Sequence, residues 1–222
     1  MNLALFDLDG TLIEKDSDHA FGEFIIALGW ADANEFRRRN DAFYEDYVAG
    51  RLDIDAYVDF ATAPWRDRPA ADLARASKDF TDTVVRPMVT VQATRLIQRH
   101  QRDGDLVAIV TATNDFVTRP IARLLGIEEL IATDLARDVS GRITGKIDGI
   151  PAFREGKVQR VQQWLAARGL KLDAFERSHF YSDSTNDLPL LESVSDPVAT
   201  NPGPALQRIA VERGWPVLKL FT

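Results

Sequence analysis

Residues 2–11 read Asn2-Leu3-Ala4-Leu5-Phe6-Asp7-Leu8-Asp9-Gly10-Thr11. Leu3–Phe6 is apolar without a break, and the run stops at two acids spaced by one leucine, followed by Gly10. A short apolar run closed by a turn signal fits a strand covered on both faces, as in a parallel sheet. This stretch is therefore read as a buried strand running into a polar loop.

The chain after Pro87 supports that reading. Val91–Arg102 has helical periodicity, Asp103-Gly104 is a turn, and Leu106–Val110 is a second fully apolar strand ending at Thr111. Asp115–Leu125 is expected to be a helix and Leu130–Thr133 a strand. Asp138–Asp148 has the look of a hairpin turning at Ser140-Gly141. A helix over 154–168, a strand over His179–Ser182 and a helix through Leu191 follow the polar pattern. Pro197–Thr200, Ala205–Arg213 and Val217–Leu220 complete a strand, helix and strand. Alternation of this kind predicts an α/β fold: a doubly wound, Rossmann-like parallel sheet with helices on both faces. Ligands of such sheets bind beyond the carboxyl ends of the strands.

Between the first strand and this region lies a stretch without strand signals. DHAFGEFIIALG, DANEFRRRNDAFYEDYVAG, DIDAYVDFATAPW and ADLARASKDFTDTVV each suit an amphipathic helix. Residues 14–86 hold 16 acids and 10 bases, so nearly all of the net charge of −7 belongs to this segment. It is read as a small all-helical domain inserted after the first strand, with residues 1–13 and 87–222 forming the α/β core.

Composition narrows the function. With no Cys there is no thiolate metal site and no Cys nucleophile, and three His without ligand spacing argue against a His-built zinc site. The acidic balance argues against a nucleic-acid partner. No apolar run approaches the roughly 20 residues of a membrane span, and the N-terminus lacks a signal-peptide pattern. A soluble, cytoplasmic protein is expected.

Four polar spots share one address, at or just past a strand's carboxyl end or opening a helix there: Asp7/Asp9, Thr111, Lys157 and Asp183/Asp187. Asp7, Asp9 and Asp183 together offer carboxylates for one hard cation, and Mg²⁺ suits a few carboxylates plus waters. A cation and a lysine lower the repulsion between a carboxylate and a phosphate. An aspartate can then attack as a nucleophile, and a second acid can protonate the leaving oxygen. Taken alone, a D-x-D is usually a loop acid, Thr111 a strand end and Lys157 a solvated helix residue. Their order along the chain, each at the same end of the sheet, is what points to chemistry.

These motifs resemble those of the haloacid-dehalogenase-like hydrolase superfamily, in the branch that contains phosphoserine phosphatase. Asp7-Leu8-Asp9-Gly10-Thr11 stands as the first motif, Thr111 as the second, Lys157 in REGK as the third and Asp183-Ser184-Thr185-Asn186-Asp187 as the fourth. The resemblance implies a Mg²⁺-dependent phosphatase acting on a small phosphomonoester through an aspartyl-phosphate. It implies Asp7 as nucleophile, Asp9 as general acid/base, and Thr111, Lys157 and the backbone at Ala112 as holders of the phosphoryl oxygens. Mg²⁺ would take the Asp7 carboxylate, the Asp9 carbonyl oxygen and Asp183. Asp187 would orient Lys157 or the metal's waters, and Asn186 would face the phosphate. The helical insert is similar to the family's small cap.

The cap is expected to choose the leaving group. By the resemblance Asp16 meets a substrate amine, and alignment of Ala49–Asp55 puts Asp59 where phosphoserine phosphatases place a carboxylate-clamping Arg. The run Asp16-Ser17-Asp18-His19 resembles members of this branch assigned to histidinol phosphate, which carries an amine and an imidazole but no carboxylate. Asp16, Asp18, His19 and Asp59 are therefore the expected selectivity residues, and an amine-bearing phosphate such as histidinol phosphate is favoured over the alternative, phosphoserine. A dehalogenase needs no second acid such as Asp9. A receiver-like phosphoaspartate signalling module needs no helical insert of this size. A catalytically dead binding protein would not keep every catalytic position filled, and a mutase or phosphotransferase shares the same first step.

Overall fold

The computed structural model of the protein describes residues 1–221. A six-stranded sheet has the order β3-β2-β1-β6-β7-β8, with β1 over Leu3–Phe6, β2 over Leu106–Asn114, β3 over Glu129–Thr133, β6 over Ser178–Ser182, β7 over Asp196–Thr200 and β8 over Val217–Leu218. Every pairing in it is parallel. β4 (Leu135–Arg137) and β5 (Ile143–Ile147) form an antiparallel hairpin around the expected turn at Ser140-Gly141, with its first strand ahead of the expected Asp138 start.

β1 is central because all four of its side chains are buried. Alternation sends Leu3 and Leu5 to one face and Ala4 and Phe6 to the other. The Leu3 face packs under α7 (Glu155–Ala166), α8 (Leu188–Leu191) and α9 (Pro204–Arg213). The Phe6 face packs under α5 (Val91–Arg102) and α6 (Asp115–Leu124). The chain fills β1, β2 and β3 in one direction, then returns to β6 on the other side of β1. The order thus reverses between β1 and β6, which opens a crevice beyond their carboxyl ends.

The insert consists of α1 (Ser17–Ala27), α2 (Ala33–Val48), α3 (Ile54–Thr62) and α4 (Ala70–Phe80), followed by a π-helical turn at Thr81–Val85. Asp16, Asp32 and Asp53 cap the first three helices by accepting a backbone N–H three residues on, each worth roughly 1 kcal/mol. Phe21, Phe36, Phe60, Trp65 and Phe80 are buried and continuous with the Phe6 side of the core. The insert is therefore packed on the sheet domain through aromatic contacts, such as Trp65 stacked on Phe116 at 4.5 Å.

In the six-stranded sheet, two strand ends differ from the sequence reading by two residues or more. The last strand stops at Leu218 rather than Leu220. β2 runs past Val110 to Asn114. Val110 pairs with Ile131 and Asn114 with Thr133, so two extra residues are accommodated on β2 between those pairs. Such a bulge redirects side chains at a strand's end. Here it carries Thr111, Ala112 and Thr113 to the mouth of the crevice.

Candidate active site

Asp7 leaves β1 with its N–H still donating to the Tyr181 carbonyl at 2.9 Å, so its position is fixed by the sheet. Its carboxylate is buried. One oxygen accepts from Lys157 Nζ at 2.8 Å and the other lies 3.2 Å from the Thr11 hydroxyl. The same hydroxyl lies 3.2 Å from Asp183 and accepts from the Asp183 N–H at 3.1 Å. A Cβ on Gly10 would come within 2.5 Å of an Asp183 oxygen, and Gly10 holds φ at +70°. Both facts require glycine at this turn.

Lys157, in the first turn of α7, is only 2% exposed and donates equally to Asp7 and Asp187, each at 2.8 Å. Burial alone would lower its pKa, but Asp187 and Asp7 hold it above its ordinary value. Asp187 also accepts from the Ser182 hydroxyl at 2.7 Å, and burial, opposed by Lys157, pushes it up to about 6. Burial likewise raises Asp7, and burial together with Asp7 and Asp187 raises Asp183 well above the carboxylate range. Asp7 and Asp187 thus share one lysine, with Asp183 beside them. Ser182 and Ser184 tie this loop together: Ser182 Oγ accepts from the Ser184 N–H and Ser184 Oγ from the Asn186 N–H.

Asp9 is turned away from this cluster. Its two oxygens accept from the Ser17 N–H at 2.7 Å and from the Thr113 hydroxyl at 2.9 Å. Burial, with Asp16 nearby, pushes it up to about 7. The Asp9 carboxylate is therefore engaged away from Asp7 and Asp183. With Asp9 engaged by α1 and β2, the Asp7 and Asp183 carboxylates and the Asp9 carbonyl remain. Accordingly, no three His, Cys, Asp or Glu side chains cluster as a metal cage among the described residues. Asp7 and Asp183, hard oxygens converging on Thr11 with too little positive charge nearby, fit a small divalent cation.

Above Asp7 and Asp9 a chamber opens between sheet and insert. Thr111, Ala112 and Thr113 line its floor, Asp16, Asp18 and His19 one wall, and Asn40, Phe43, Tyr44, Tyr47, Leu52, Ile54 and Tyr57 the rest. Neither Lys nor Arg is among its lining residues. Asp18 accepts from Asn114 Nδ2 at 3.3 Å, and burial, then the neighbouring Asp16, push it up to about 7. His19 is tied to Asp41 at 3.0 Å.

Two expected positions are corrected. Asp59 does not face the chamber. It sits two residues past Tyr57 on α3, about 200° around the helix, exposed and paired with Arg66 at 2.6 Å. Asn186 does not point its amide at the phosphate position; Nδ2 donates to the Tyr47 carbonyl at the end of α2, 2.9 Å away. Arg154, at a positive φ of 52°, reaches the Gly50 carbonyl beside it. The insert is thus fastened to the start of α7, which carries Lys157, and to the turn that carries Asp187. Asn40, Tyr57 and Thr113 were missed, since single polar residues on a helix or bulge carry no motif.

The haloacid dehalogenase-like hydrolase family model matches residues 4–192. The chain belongs to that family. It is an enzyme of the phosphatase type within it. The histidinol-phosphatase of Neisseria meningitidis serogroup C is 45% identical over 98% of both chains. A crystal structure of a protein of unknown function from Bordetella pertussis Tohama I is 50% identical, with a TM-score of 0.93 over 99% of both chains. A substrate-bound phosphoserine phosphatase shares the fold at 18% identity, with a TM-score of 0.68 over 97% of this chain and 91% of that one. No helix among the described residues is long and apolar enough to cross a membrane.

Proposed function

We propose that this enzyme hydrolyses a small amine-bearing phosphomonoester, with histidinol phosphate the foremost candidate. The observation that carries the reading is the chamber above Asp7: it presents Asp16 and Asp18, aromatic walls and no cation to a leaving group. An ammonium is attracted there, and a carboxylate finds no partner and is repelled. Arg51 and Arg66 are paired with Asp46 and Asp59, and neither lines the chamber. The histidinol-phosphatase name of the Neisseria relative agrees with this preference.

In the proposed reaction an Asp7 carboxylate oxygen attacks phosphorus, and the bond from phosphorus to the substrate's alkoxide oxygen breaks. Asp9 gives that oxygen a proton, so the alcohol leaves neutral. Asp9 then takes a proton from water as the water attacks phosphorus, which breaks the aspartyl-phosphate and frees Asp7 and inorganic phosphate. The Thr111 hydroxyl, the backbone at Ala112 and Lys157 hold the phosphoryl oxygens, and Asp187 keeps Lys157 charged and aimed. Mg²⁺ held by Asp7, Asp183 and the Asp9 carbonyl would neutralise charge on the transferred group. Residues 14–86 would act as the cap that excludes water and supplies selectivity.

The test is phosphate release with Mg²⁺ from histidinol phosphate, phosphoserine, phosphoethanolamine and p-nitrophenyl phosphate. Histidinol phosphate should show the highest kcat/KM of the three biological esters. EDTA should abolish release, and added Mg²⁺ should restore it. A preference for phosphoserine, or release indifferent to EDTA, would overturn the reading.

A further inference from the structure

Asn201 is the first residue past the carboxyl end of β7 and holds a positive φ of 47°. Asparagine is one of the few residues with a side chain that enter this left-handed region readily. Its side chain is engaged at both ends. Nδ2 donates to the Gly10 carbonyl at 2.9 Å and to the Thr11 carbonyl at 3.2 Å, across 190 residues of sequence. Oδ1 accepts from the N–H groups of Leu220 at 2.6 Å and Phe221 at 3.3 Å. The Asn201 N–H in turn donates to the Leu218 carbonyl at 2.7 Å.

The two carbonyls held by Nδ2 belong to the turn that joins Asp7 and Asp9 to the Thr11 hydroxyl. Gly10, at φ +70°, has the freest backbone in that turn, so the peptide planes that follow it need a restraint from outside. Asn201 supplies one from the sheet. β6 lies between β1 and β7, so the amide reaches from the end of β7 to the turn after β1, with Asp183 following the strand between them. The Thr11 hydroxyl stands 3.2 Å from both the Asp7 and the Asp183 carboxylates. Rotation of the Gly10 or Thr11 peptide would carry that hydroxyl away from the two acids and let them part.

We infer that Asn201 is a positioning residue for the cation: by holding the Gly10 and Thr11 carbonyls it keeps Asp7 and Asp183 converged through the Thr11 hydroxyl. It touches neither the cation nor the substrate. The inference rests on the cation site read above at Asp7 and Asp183. It adds a residue outside the four motifs, and it makes the segment Leu218–Phe221 the support from which the motif turn is held.

The experiment titrates Mg²⁺ into metal-free wild type, Asn201→Gly and Leu220→Ala by calorimetry, with no substrate present. Gly keeps the left-handed backbone without strain and removes the amide. Leu220 is 4% exposed; Ala there opens a cavity but keeps the N–H that Asn201 accepts, so this variant is destabilised without touching the turn. The Mg²⁺ Kd should rise about tenfold in Asn201→Gly and stay at the wild-type value in Leu220→Ala. Phosphate release from p-nitrophenyl phosphate by Asn201→Gly should be depressed at low Mg²⁺ and return close to that of wild type as Mg²⁺ is raised. An unchanged Kd in Asn201→Gly, an equal rise in both variants, or a loss of release that Mg²⁺ does not restore would overturn the role of Asn201. So would failure of Asn201→Gly to fold, which would make the amide structural. A wild type that binds no Mg²⁺ would instead overturn the cation site itself.

Discussion

The two ends of the crevice are built on opposite terms. At the sheet end, Asp7, Lys157, Asp187, Ser182 and Thr11 hydrogen-bond one another at 2.7–3.2 Å, held by strands and by the first turn of α7. At the insert end, Asp16 and Asp18 are raised by burial with neither Lys nor Arg beside them. The first arrangement is largely complete in the free protein, needing a cation to balance its acids. The second holds acids that no lysine or arginine answers. Preorganised groups serve a reaction whose charge pattern is fixed, and unsatisfied groups discriminate between ligands by penalising those that leave them bare.

The widest separation between the two ends should come from Asp7→Asn. It removes the attacking oxygen, and turnover should fall by roughly 10³-fold or more for every ester alike, measured by steady-state phosphate release. A substrate-dependent loss would mean that Asp7 belongs to recognition. Asp9→Asn comes next. Loss of general acid–base help should cost about 10²–10⁴-fold with an alkyl ester and distinctly less with p-nitrophenyl phosphate, whose leaving group needs little protonation. Equal losses would place Asp9 with the metal-binding groups.

A smaller effect sharpens the contrast through stability. Asp18 titrates near 7 in the fold against an ordinary value of 3.8. The native state then holds its proton more tightly, so the associated stability is present below about pH 4 and is lost as pH rises through about 7. Asp18→Asn cannot ionise. Its melting temperature should gain on that of metal-free wild type by a few degrees between pH 4 and pH 8, followed by circular dichroism. A constant difference across that range would show that Asp18 is paired in the free protein. The smallest effect is expected from Asp59→Ala. The exposed Asp59–Arg66 pair should change stability by no more than about 0.5 kcal/mol. The ratio of histidinol phosphate to phosphoserine turnover should stay as it is.

The contrast also explains what the sequence could disclose. Strands such as Leu3–Phe6 and Leu106–Val110 are legible because a strand covered on both faces must be apolar throughout. The acids, Thr111 and Lys157 are legible because nothing in packing calls for them at strand ends. The insert is different. Its helices were readable from periodicity, but the face each one turns to the chamber depends on how they cross. A register carried along the chain therefore put Asp59 inside, when α3 turns Ile54 and Tyr57 that way instead. The bulge at Thr111–Thr113 was hidden because both extra residues are compatible with a strand. The links from Asn186 to Tyr47 and from Arg154 to Gly50 join segments more than 100 residues apart, and no local pattern announces them.

Where α1 meets α2, the contact falls on Gly22. A glycine inside a helix costs about 0.5–1 kcal/mol relative to alanine, yet here a methyl would meet both Asn40 and the Phe36 ring at 2.8 Å. The spacing of α1 and α2 is therefore set by a single hydrogen atom on α1. A bulkier residue at this point would wedge α2 outward while leaving the strand ends beneath it where they are. The fit between these two helices and the acids at the strand ends are set by separate parts of the chain.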